Sequence, residues 1–179
     1  MAKVSWDISA GAAIALALLY FFDDSGYFAA MLTAAVIHEL GHIAAILLLR
    51  GKIRAVSVRL YGLKIDYSGV FDRRGTVLAA LAGPLAGAVF GLLALRSGGR
   101  FLTMSGASSI LLTVFNLIPI MPLDGGRVVD AAAPPKTASV IFKTAAILLV
   151  LAGAAVLVRF RNISVLIISW WLLICSYVK

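Results

Sequence analysis

The chain is poor in charge, and poorer still in acid. Asp and Glu together number 8 among 179 residues against 16 Lys and Arg, and charged residues make up 13%. A soluble domain of this length needs a polar shell around its core. With hydrophobic residues at 62% and a mean hydropathy of +1.03, no such shell is available. Cysteine occurs once, at Cys175, which excludes a disulfide within the chain and a thiolate metal cluster. There is no internal repeat, no low-complexity tract and no linker, so residues 1–179 read as a single membrane-embedded domain.

What the chain has instead is apolar runs close to the roughly 20 residues a helix needs to cross a bilayer. They predict an all-α polytopic membrane protein with about six spans, near residues 8–22, 28–49, 76–95, 101–121, 137–158 and 163–178. Lys3 precedes the first run in the manner of a signal peptide. That run leads into Phe21, Phe22, Asp23 and Asp24 without a small-residue cleavage site, so it reads as a retained helix. After the second span, residues 53–60 and 63–70 alternate as strands do, with Gly62 near the turn. Leu63, Ile65 and Tyr67 share one face and Lys64, Asp66 and Ser68 the other, the pattern of an amphipathic β-hairpin at the membrane. A free edge of that hairpin is suited to pairing with an extended stretch of substrate.

Seven of the 16 basic residues fall between Arg50 and Arg74. The positive-inside rule places that segment, and by alternation both termini, in the cytoplasm. The net charge of +8 then reflects topology and contact with anionic lipid rather than nucleic-acid binding.

Glutamate occurs once, at Glu39, and histidine twice, at His38 and His42. All three lie in the apolar stretch TAAVIHELGHIAAILLL, residues 33–49. On a helix, residues four apart share a face about 6 Å apart along the axis, so the two histidines can share one metal ion. Glu39 projects roughly 100° around, placed to deprotonate a water. HExxH on a helix is the arrangement of zinc metalloproteases, with the glutamate as general base. The bland alternative is a pair of core histidines hydrogen-bonded to neighbouring helices.

A catalytic zinc usually takes three protein ligands. With no further His or Glu, a third side-chain ligand has to be an aspartate: Asp7, Asp23, Asp24, Asp66, Asp72, Asp124 or Asp130. Asp23 and Asp24 fall on the opposite side of the membrane, Asp7 at the interface on a short helix, and Asp66 and Asp72 in the basic loop. Asp124 differs because it follows a hydrophobic helix within FNLIPIMPLDGGRVVD, residues 115–130. Its prolines and glycines unwind the helix, and unwound backbone at membrane depth belongs where protein buries it or where it lines a wet cavity. The alternative is an ordinary turn at the membrane surface. The GPLAGAVFG run, residues 83–91, reads first as close packing beside the HExxH helix.

HELGH in one helix, AGP in the next and N-x-x-P-x-x-P-L-D-G-G after it resemble the site-2 protease family of intramembrane zinc metalloproteases, over about residues 28–130. A short chain with one helix before HELGH is most similar to the sporulation-type (stage IV sporulation protein FB-like) branch. The resemblance implies one Zn2+ per chain held by His38, His42 and Asp124, with Glu39 as catalytic base. It implies that Asn116 grips substrate backbone or stabilises the oxyanion. The implied function is hydrolysis of a peptide bond in or near a transmembrane segment of a membrane protein substrate, in a bacterial cell membrane. That is regulated intramembrane proteolysis, with a sporulation pro-transcription factor one candidate and a membrane regulatory protein a further candidate partner. Neither a CBS nor a PDZ domain lies within the 179 residues. The rival reading is a non-catalytic, zinc-containing scaffold that binds transmembrane helices.

Overall fold

The computed structural model describes residues 5–59, 62–69 and 72–177, with only the backbone at 62, 64 and 175–177. Lys3, Lys179 and the side chain of Cys175 therefore lie outside the described residues. Two compact units emerge, Met1–Thr113 and Val114–Lys179.

The first unit begins with a strand, not a helix. β1 (Ser5–Ile8) precedes α1 (Ala10–Phe21), and Ser9 caps α1 by accepting from the Ala12 N–H. β1 pairs in parallel with β2 (Lys52–Arg59), which pairs antiparallel with β3 (Gly62–Ser68). The expected hairpin is thus two strands of a three-stranded sheet. The register aligns Trp6 with Val56 and Ile65, and Ile8 with Val58 and Leu63, so one face is apolar as the alternation predicted. Asp7, expected on a short helix, lies in β1 and pairs with Arg59 at 2.7 Å.

α2 (Tyr27–Leu48) carries HELGH. Its first two amides are satisfied by Ser25 and Asp23: the Tyr27 N–H donates to the Ser25 hydroxyl oxygen, the Phe28 N–H donates to Asp23 Oδ2 at 2.7 Å, and Asp23 Oδ1 accepts from the Ser25 hydroxyl. The Ser25 hydroxyl, against a smaller desolvation effect and with help from the Phe28 N–H, holds the Asp23 carboxyl below its ordinary pKa. A lowered pKa means this cap is intact at neutral pH and is lost only as the pH falls through the lowered value. α3 (Arg73–Leu95) is capped by Asp72 through the Gly75 N–H at 2.7 Å, so Asp72 serves as a helix cap. α4 (Arg100–Asn116) follows after a short turn.

α2 and α3 pack closely because small residues meet. A Cβ added at Gly41 would come within 2.5 Å of the Ala82 carbonyl oxygen and 2.7 Å of the Ala86 Cβ. Side chains here are distributed inside out. Leu40, Leu47, Leu85, Leu92 and Leu111 are exposed, whereas His38, His42, Ser105, Ser109 and Thr113 are buried. Apolar outside and polar inside is the pattern expected when the solvent is lipid.

In the second unit, the expected span 101–121 stops at Asn116, and a run of turns through Leu123 leads to α5 (Asp124–Ala132). Pro119 and Pro122 remove donors where the helix ends, as anticipated. α5 itself was not anticipated: Asp124, expected in the broken segment after a hydrophobic helix, opens a short helix of its own. α6 (Pro135–Phe160) and α7 (Ser164–Tyr177) pack on each other around Ile120, Leu123, Ala146 and Leu172. Of the six expected spans, α2, α3 and α6 are long and apolar enough to cross a membrane, and α1 and residues Ser164–Ile174 are shorter apolar helices. The described structure is mostly helical with one small sheet.

Candidate metal centre

His38 and His42 lie one turn apart on α2, 3% and 7% exposed. Their Nε2 atoms are 3.1 Å apart, with the rings at 76° to each other. Two nitrogens bound to one tetrahedral zinc at their usual bond length lie about 3.3 Å apart, so the pair has the spacing of co-ligands.

The tautomer of His42 is fixed by its other nitrogen. Nδ1 lies 2.8 Å from the Ala79 carbonyl oxygen on α3. A carbonyl only accepts, so Nδ1 carries the proton and donates. In the neutral ring Nε2 is then left with its lone pair, directed toward His38. A backbone carbonyl on the far nitrogen is the usual device for orienting a metal-bound imidazole.

α3 supplies a second constraint. A Cβ at Gly83 would overlap the His42 Nε2 atom and come within 2.6 Å of both Cδ2 and Cε1. The imidazole therefore rests directly on the Gly83 backbone, in a place that only glycine leaves open. Neither the Ala79 carbonyl nor Gly83 is visible in the HExxH motif. The AGP triplet is the available signal, although its small residues read first as close packing.

Glu39 is half-buried on the same helix, between the histidines in sequence and off their face. Asn116 ends α4 and is also half-buried.

Asp124 is the one buried aspartate among the described residues, at 6% exposure. It is the first residue of α5, where the amide ends favour a carboxylate. Arg127, one turn on, has a nitrogen 4.0 Å from its Oδ1. The following glycines bring the preceding turn close: a Cβ at Gly125 would be 2.7 Å from the Ile118 carbonyl oxygen, and one at Gly126 would be 2.6 Å from that of Ile120. Of the other aspartates, Asp7 pairs with Arg59, Asp23 and Asp72 serve as caps, Asp24 and Asp130 are exposed, and Asp66 is half-buried in β3. The described residues that could hold a metal ion are His38, His42 and Asp124. Two imidazoles and a carboxylate, all buried, fit zinc by ligand type.

The chain superposes on the Site-2 Protease from Methanocaldococcus jannaschii with a TM-score of 0.66, at 21% sequence identity, covering 93% of this chain and 84% of that one. The fold is that of a site-2 protease. Residues 75–160 also match the family model of Peptidase family M50, a range that includes Ala79, Gly83 and Asp124 but begins after the HELGH helix. No curated protein matches the chain. The structural match covers more of the chain than the family match, which does not reach the HELGH helix or the sheet.

Proposed function

We propose that this chain is an intramembrane zinc metalloprotease that hydrolyses a peptide bond in or near a transmembrane segment of a membrane protein. The observation that carries this reading is the His38–His42 pair, with its nitrogens at co-ligand spacing and one ring locked by a backbone carbonyl. His38, His42 and Asp124 are the residues that would hold one Zn2+. When bound, the ion supplies a Lewis acid and makes water acidic enough to lose a proton near neutral pH.

The chain's own residues do the rest. Glu39 takes a proton from the attacking water and returns it to the leaving nitrogen, which needs a carboxylate charged at the outset. Asn116 binds substrate backbone or the developing oxyanion. The β3 edge pairs with substrate that has left its helix, since a helical segment keeps its carbonyls hydrogen-bonded and shielded. Six crossings complete the topology, with α1, α4 and α7 added to the three longer helices and both termini cytoplasmic. A membrane-tethered transcription factor in sporulation is the substrate that the resemblance of residues 28–130 favours.

The ligand set is testable directly. Purified wild-type protein is expected to hold one zinc per chain, and His42→Ala and Asp124→Ala to lose it together with cleavage. Metal analysis by mass spectrometry checks this. Full zinc content in Asp124→Ala would remove Asp124 from the set, and a metal-free wild type that still cleaves would overturn the metalloprotease reading.

A further inference from the structure

Ser105, Ser109 and Thr113 recur every four residues on one face of α4, and all three are buried. In lipid, Ser and Thr hydroxyls can hydrogen-bond from one helix to the next. Two of them reach the backbone of α3: Ser109 Oγ donates to the Gly87 carbonyl at 2.8 Å, and Thr113 Oγ1 donates to the Pro84 carbonyl at 3.3 Å.

They grip α3 where it is weakest. Pro84 has no N–H, so the Ala80 carbonyl lacks its usual donor four residues on, and the helix there has one fewer bond resisting a bend. Gly83, the surface beneath the His42 ring, is the residue just before that break. Gly87 lies one turn further, about 6 Å along the axis. A Cβ at Gly87 would come within 2.7 Å of Thr113 Oγ1 and 3.3 Å of Ser109 Oγ. A single stripe of α3 therefore carries the His42 imidazole at position 83 and the Thr113 hydroxyl at position 87.

We propose that Thr113 is a positioning residue for His42: by holding the Pro84 carbonyl it fixes the Gly83–Pro84 segment of α3. That segment carries the backbone on which the imidazole rests, and the Ala79 carbonyl that orients its Nδ1 lies one turn before it. Ser109 is a second fastener on the same stripe. The inference rests on the reading of His38 and His42 as metal ligands.

The test compares Thr113→Val, which keeps the shape and loses the hydroxyl, with Thr113→Ser, which keeps the hydroxyl. Ser169→Ala is the control, because Ser169 is another buried hydroxyl bonded to a helix carbonyl, that of Leu149. Zinc affinity is measured by chelator competition on the purified full chain, and cobalt(II) absorption reports the geometry of the bound ion. Thr113→Val is expected to bind zinc about tenfold more weakly, with a changed cobalt spectrum. Thr113→Ser is expected to restore both, and Ser169→Ala to lower thermal stability with zinc affinity unchanged. Wild-type affinity and spectrum in Thr113→Val would overturn the proposal, since a merely structural hydroxyl changes stability alone. If Thr113→Val does not fold, Thr113→Ala carries the same comparison without a methyl against Gly87. A wild type that binds no zinc overturns the ligand reading itself and is thereby distinguished from a failure of Thr113.

Discussion

Gly83→Ala is expected to cost the protein its metal. The added methyl would fall within 2.6 Å of two ring carbons of His42 and closer still to Nε2. A ring on a flexible stem escapes such a collision by turning away, but this ring is held at Nδ1 by the Ala79 carbonyl, which lies on the helix carrying the new methyl. Turning breaks that bond; keeping it pushes α3 away from α2 along a contact that also crowds Gly41 against Ala82. Either way His42 Nε2 leaves its 3.1 Å approach to His38. Zinc affinity should fall by about a hundredfold, the upper part of the range for lost outer support of a ligand. Overpacking should cost about 1–3 kcal/mol of stability. Gly91→Ala separates the two effects. Its methyl would meet Ile110 side-chain atoms at 2.7 and 2.8 Å, a comparable crowding on the same helix, but it touches neither histidine. Zinc titration of both variants should show a large loss for Gly83→Ala and none for Gly91→Ala. Equal zinc affinity in the two would mean that the Gly83 contact does not shape the site.

Glu39→Gln protein is expected to keep zinc and lose about 10²- to 10⁴-fold of its turnover, the range for a general base. The amide replaces the carboxylate with little change of shape, so packing of the half-buried side chain is preserved. What it cannot do is accept a proton. Glu39 is also the only glutamate in the chain, and the HExxH histidines are the only two, so no neighbouring residue of either type can substitute. Cleavage of a reconstituted membrane substrate, normalised to bound zinc, reads the effect. Turnover within a few-fold of wild type would remove Glu39 from the mechanism.

Local pattern carried the helices well. The expected spans 28–49, 76–95 and 137–158 correspond to α2 at 27–48, α3 at 73–95 and α6 at 135–160, because a long apolar run leaves few alternatives. The break after Asn116 was legible for the same kind of reason, since Pro119 and Pro122 cannot continue a helix. α5 was not, because Asp124–Ala132 is too short and polar to register as a span, and its packing depends on Gly125 and Gly126 receiving the turn before it. β1 escaped notice because its partner is some fifty residues away. Ser5 to Ile8 pair with Ala55 to Val58, and nothing local in four residues announces a parallel neighbour.

The centre itself divides the same way. The histidine pair follows from i, i+4 spacing and was readable in full. The groups around it were not, because Ala79 and Gly83 meet His42 only through the packing of α3 on α2. A backbone carbonyl has no signature in sequence at all. Asp124 stood out by its broken helix, and its burial separates it from the six other aspartates.

Cutting of peptide bonds within membrane segments is the activity proposed for this chain. Its most direct test is to map the new peptide termini formed in the native host by wild-type protein and by Glu39→Gln at matched expression. The proposed function predicts termini inside or beside a transmembrane helix that appear only with the wild type, and these would name the substrate as well. Identical termini in the two, with zinc bound in both and membrane partners present, would contradict it and leave a zinc-containing scaffold for transmembrane helices.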